Sequence, residues 1–201
     1  MTKTMRTKWI LSLLCILSVA YANAWERVPV WPKGKMPNQQ EHQIAAMTDE
    51  VKEKQRYVFE RQMAIAQKYG LPVIIHDREA HGDCFEMALK YPEVKGIFHS
   101  YSGSSEMARE LTKRGWYISF SGTLTFTNAA RVREAASAVP RDKLLIETDA
   151  PYLAPHPNRG QLNHSGYLPL VLSALAQIWD CSPTDAAEQT YQNALAFFNL
   201  P

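Results

Sequence analysis

A parallel β-sheet covered by helices, either an open doubly wound sheet or part of a (β/α) barrel, is the fold this sequence predicts, and three observations carry it. Four short apolar runs lie between Leu71 and Pro155, in PVIIH, GIFHSYSG, YISFSG and LLIETDAPY. Segments of helical period separate them. Three of the runs deliver, at their C-terminal ends, a residue that metal chemistry needs: His76, His99 and Asp149. Buried strands alternating with amphipathic helices are the signature of a parallel sheet with crossover helices, and in barrels of that kind the chemistry sits at the C-terminal ends of the strands.

In chain order, Lys3, Arg6 and Lys8 precede an apolar run from Trp9 to Ala20 and a small-residue exit at Ala22, Asn23 and Ala24. Residues 1–24 therefore read as a secretory signal peptide, cleaved after Ala24, and an exported protein is expected. The run is shorter than the ~20 residues of a comfortable membrane span. The leader holds 3 of the 22 basic residues and none of the 20 acidic ones, so 19 face 20 in the remainder and the formal +2 disappears. With no global basic footprint, a nucleic-acid partner has to be gripped by a local patch or a metal. Residues 25–51 contain Pro29, Pro32 and Pro37 and no strand or helix period, an extended segment.

A helix over about 48–69 follows, with Val51, Val58, Phe59, Met63 and Ala66 on one side and Gly70 as its stop. Leu71–Ile75 is a continuous apolar strand, as expected of one buried on both faces. Asp77, Arg78, Glu79 and His81 read as a solvated loop. A helix around 83–91 comes next. Ser104 or Ser105 caps the helix that runs to Arg114, and Gly115 ends it. A short helix over 128–138 stops before Pro140. Glu147 and Asp149 alternate after the last strand and so share a face, Asp149 as proton acceptor and Glu147 as a support for the metal or a substrate contact. The closing helices span 167–179 and 183–198, the second with Ser182 as cap, Pro183 in its first position and Asp185 in its first turn.

Two nitrogens and an oxygen suit zinc or another divalent first-row ion, and a carboxylate in the set both binds metal and takes a proton from water. Cys84 and Cys181 permit one disulfide in an oxidising compartment, although their neighbourhoods suggest two unrelated thiols. Neither belongs to a CxxC, which excludes a structural zinc site of that type, and the absence of GxSxG leaves nucleophilic serine chemistry without support.

The stretches LPVIIHDREA, IFHSYSGS, GWYISFSGTLTFTNA and LLIETDAPYLAPHPNRG, in this order and spacing, resemble the C-terminal part of the TatD-type metal-dependent deoxyribonucleases of the amidohydrolase superfamily. The resemblance covers residues 52–201 and implies a (β/α) barrel of TIM type, of which about the last four βα units are present. It implies hydrolysis of DNA phosphodiesters with magnesium, manganese or zinc. His76 and His99 match the family's metal-binding histidines, Asp149 its ligand and proton acceptor, and Arg159 a loop arginine that grips phosphate. The HxH motif of the family's first strand and its bridging glutamate have no counterpart, and a complete barrel takes about 250 residues against 201 here. An inactive remnant that only binds metal, or that self-associates through exposed sheet edges, is the alternative. A TatD-like body alone suggests the cytoplasm, against the export its leader implies. The segment before Val51 faintly resembles the mature N-terminus of some secreted carbohydrate esterases, without their catalytic motifs, so a junction between two unrelated parts is expected near Val51.

Overall fold

The computed structural model describes residues 49–200. The expected signal peptide, residues 1–24, and all of the extended segment up to residue 48 lie outside the described residues. Helix α1 (Asp49–Tyr69) lies where a helix over about 48–69 was expected. It ends at Gly70, whose φ of +62° is the left-handed conformation that glycine adopts without a Cβ penalty.

The order is then β1 (Val73–His76), α2 (His81–Lys90), β2 (Gly96–His99), α3 (Ser105–Lys113), β3 (Tyr117–Phe120), a 3-10 turn (Gly122–Thr125), α4 (Ala130–Ala138), β4 (Leu144–Ile146), α5 (Leu168–Trp179) and α6 (Pro183–Phe198). Among the described residues the strands form one four-stranded sheet in sequence order, parallel throughout. Helix α3 starts where expected: the Ser104 hydroxyl accepts from the Met107 amide at 3.2 Å. Helix α6 begins at Pro183 behind Ser182, whose hydroxyl accepts from the Asp185 amide at 3.1 Å.

Strand register assigns the two faces. Ile75, Phe98, Ile118, Phe120 and Leu144 point toward the helices and join Met63, Leu111, Trp116 and Leu175 in the core. Burying each of the larger apolar side chains contributes about 1.5–3 kcal/mol. The opposite face carries Ile74 and His76, then Ile97 and His99, then Tyr117 and Ser119, then Leu145, because register partners in a parallel pair share a face. Core packing on one side thus turns His76 and His99 together to the other.

Two expectations are corrected. Strand β1 is not buried on both faces: among the described residues it lies at the sheet edge, and Ile74 is 57% exposed. In α1, Met63 and Ala66 are buried and Phe59 packs against the core, but Val51 and Val58 are exposed, since the heptad spacing that joins them runs along a different stripe of the helix. Leu175, Ala176 and Trp179 of α5 are buried as expected, with Leu172 packed against them. Cys84 and Cys181 are free thiols. Among the described residues no helix is long and apolar enough to cross a membrane.

Candidate metal centre

His76 and His99 are register partners at the C-terminal ends of β1 and β2, with ring centroids 5.5 Å apart. Glu147 and Asp149 come from beyond β4, two strands away, so a side chain from there has to cross β3. The sequence makes room for that crossing with two small, buried residues, Ser119 on this face of β3 and Ser121 just past its end. Across them, Glu147 Oε2 lies 2.6 Å from His99 Nδ1, and Glu147 Oε1 accepts from the Ser100 amide at 2.6 Å. Asp149 Oδ1 lies 3.3 Å from His99 Nε2. Ser100 and Ser121 hydroxyls are 2.7 Å apart beneath this cluster.

The expected alternation of Glu147 and Asp149 along a strand does not hold. Strand β4 ends at Ile146, Glu147 extends the ladder by donating its amide to the Phe120 carbonyl at 3.0 Å, and Asp149 has a left-handed φ of +56°. That turn brings Asp149 to the second nitrogen of the ring whose first nitrogen Glu147 holds. Ser100, at φ +46°, is likewise left-handed. Such conformations cost on the order of 1–3 kcal/mol and concentrate at functional sites.

Burial of His99 disfavours its charged form, but the hydrogen bonds to Asp149 and Glu147, with their negative charge, outweigh it and raise the imidazole from 6.5 to about 10. The two carboxylates thus favour the protonated ring, and a metal arriving at Nε2 competes with a proton there.

The donor chemistry fits a divalent cation. Two donors about 2.0–2.2 Å from one tetrahedral ion stand roughly 3.3–3.6 Å apart, and the spacing from His99 Nε2 to Asp149 Oδ1 is 3.3 Å. The Glu147 contact on Nδ1 is the carboxylate support typical of histidine ligands. Among the described residues no three His, Cys, Asp or Glu side chains close on a common point as they stand; the His76 ring lies beside that of His99, its centroid 5.5 Å away.

Arg159 lies on the loop after β4. Its guanidinium stacks on the Phe126 ring at 3.8 Å and donates to the Ala154 carbonyl at 3.3 Å. Asn163, buried, fastens the same loop by donating to the Thr148 and Tyr152 carbonyls, both at 2.6 Å. Gly122 lets it approach β3: a Cβ there would sit 2.1 Å from the Leu153 carbonyl oxygen. Phe126, Asn163 and Gly122 were not legible as site residues, since only tertiary contact gives them these roles. Asp77 is no solvated residue; it accepts from the Ala80 amide at 3.1 Å and lies 2.6 Å from His81 Nδ1, which starts α2. His156 offers its backbone amide to Thr125, and the His164 ring accepts from the Gly166 amide, so neither is tied to the cluster by these contacts.

Residues 42–199 match the family model described as TatD related DNase. The chain belongs to the TatD family. The match begins ten residues ahead of the boundary expected at Lys52. A relative from Bacillus subtilis strain 168, the uncharacterized metal-dependent hydrolase YabD, is 39% identical over 151 residues, covering 74% of this chain and 59% of that protein. The uncharacterized metal-dependent hydrolase TatD of Mycobacterium tuberculosis H37Rv is 38% identical over 148 residues, 73% of this chain and 56% of its own length. Among solved structures, YjjV, a TatD homologue from Escherichia coli K12, superposes with a TM-score of 0.71 at 27% identity, over 78% of this chain and 61% of that one. This TatD family chain thus spans under two thirds of the length of the curated relatives it matches.

Proposed function

We propose that this chain is a metal-dependent hydrolase of DNA phosphodiester bonds. The observation that carries the proposal is the His99 ring, with one nitrogen on Glu147 and the other at ligand spacing from Asp149. The names of its relatives, metal-dependent hydrolases, and the DNase description of its family support the same reading.

His76, His99 and Asp149 would hold a divalent cation, magnesium, manganese or zinc, which supplies Lewis acidity and lowers the pKa of water toward 7. Asp149 has a second carboxylate oxygen, and on it the proton lost by the attacking water resides. The water oxygen adds to phosphorus, the P–O ester bond breaks, and that proton passes to the leaving oxygen. Arg159, held flat on Phe126, presents a preoriented fork to the phosphate oxygens and costs little entropy on binding. The leader-like residues 1–24 support export of the protein.

A second reading rests on β1. Its outer edge has no partner strand among the described residues, and Ile74 is 57% exposed beside it, which suits self-association by edge pairing.

The test is cleavage of single-stranded DNA by the purified chain in manganese, magnesium or zinc, against EDTA and against Asp149→Asn. Metal-dependent cleavage that the variant loses is expected. Soluble protein that takes up no metal and cuts nothing overturns the proposal, and a concentration-dependent oligomer under those conditions selects the second reading.

A further inference from the structure

Glu147 and Asp77 both use two carboxylate oxygens, but Asp77 holds only the turn that follows it, whereas Glu147 reaches from beyond β4 to the ring at the end of β2. Oε2 faces His99 Nδ1 and Oε1 faces the Ser100 amide, each at 2.6 Å. The two donors are adjacent in sequence but belong to different groups, a side-chain ring and the backbone of a residue at φ +46°. A bidentate carboxylate that spans them fixes the ring and the left-handed turn behind it with one side chain. The crossing from β4 to β2 is open because Ser119 and Ser121 are small, and the Ser100 amide also approaches the Ser119 hydroxyl at 3.4 Å. Both Glu147 oxygens being engaged, the residue is poorly placed to be a metal ligand itself, whereas Asp149 has only Oδ1 turned to the ring.

We propose that Glu147 is the positioning residue of His99: by holding the Nδ1 hydrogen and the Ser100 amide on its two oxygens, it dictates that the ring offers Nε2 to a metal. The inference rests on the metal reading above. Its chemistry is specific to a carboxylate. In Glu147→Gln, one oxygen satisfies one donor while the amide NH2 is turned against the other donor, so one hydrogen bond is lost and one repulsion gained. Supports of this kind, when removed from a histidine ligand, typically weaken metal binding about 10–100-fold.

Zinc affinity of the full chain, measured by equilibrium dialysis, should fall about 10–100-fold in Glu147→Gln and Glu147→Ala, with far-UV and near-UV circular dichroism unchanged. Failure of the wild-type chain to bind zinc sinks the metal reading itself. Zinc binding by wild type that a folded Glu147→Gln matches sinks only the positioning role. Should both variants unfold, the wild type decides alone: in histidine-15N-labelled, zinc-loaded protein, with the His99 signals assigned through His99→Gln, the zinc-shifted nitrogen should be Nε2 and the Nδ1 proton should remain visible. Zinc on Nδ1 overturns the proposal.

Discussion

Asn193 offers a test of what holds β4, and with it Glu147 and Asp149, in place. The side chain is buried in α6, and its Nδ2 donates to the Leu144 carbonyl at 2.7 Å and to the Arg141 carbonyl at 2.6 Å, while its Oδ1 accepts from Gln189 at 2.9 Å. Residues 145 and 147 form the ladder to β3, so the Leu144 carbonyl points away from β3, to a side with no partner strand among the described residues, and Asn193 is the donor that satisfies it there. In Asn193→Ala the Leu144 oxygen stays dry and unpaired, a cost of about 1–3 kcal/mol. The Arg141 residue is exposed and its carbonyl recovers most of its loss in water, so the total stays at about 1–3 kcal/mol. Asn193→Asp makes the sharper variant: a carboxylate of the same shape donates nothing and sets a negative charge against two carbonyl oxygens, so it should be the less stable of the two. Urea unfolding followed by tryptophan fluorescence reads both, with a lower midpoint and an unchanged slope. An alanine variant within about 0.5 kcal/mol of wild type, the ordinary scatter of surface substitutions, would refute the reasoning, as would an aspartate variant no worse than alanine.

Three more outcomes follow from the same contacts. In Gly122→Ala the new Cβ meets the Leu153 carbonyl at 2.1 Å, so the loop bearing Arg159 has to move by roughly 1 Å; a loss of about 1–3 kcal/mol and of DNA cleavage is expected, read by urea midpoint and nuclease assay. His99, raised from 6.5 to about 10, contributes stability to the metal-free protein that is fully present below pH 6.5 and lost as pH rises through 10. The ceiling of that loss is about 5 kcal/mol, and unfolding in EDTA at pH 6 and 9.5 should show it in wild type but not in His99→Gln. Burial, aided by the charges of Asp77 and Asp83, pushes the Cys84 thiol up to about 12, so iodoacetamide at pH 8 should label the half-buried Cys181 before Cys84, as peptide mapping by mass spectrometry will show.

Periodicity and end signals are local, and what depends on them was legible in the chain. Four apolar runs became four parallel strands, Ser104 and Ser182 capped the helices they precede, and Gly70 and Gly115 stand at helix ends with positive φ. His76 and His99 could be picked out because each closes a strand, and strand register alone makes them neighbours. Contacts between distant segments have no local signal. The exposure of Val58 and Ile74 depends on what covers a face, the left-handed turn at Asp149 on the loop that Asn163 ties down, and the stack of Arg159 on Phe126 on two loops meeting. Glu147 shows the division most clearly. The sequence by itself determined that a carboxylate follows β4, but only the tertiary structure decided that it reaches over two serines to His99, because the distance between two strands is set by packing and not by the order of residues along either one.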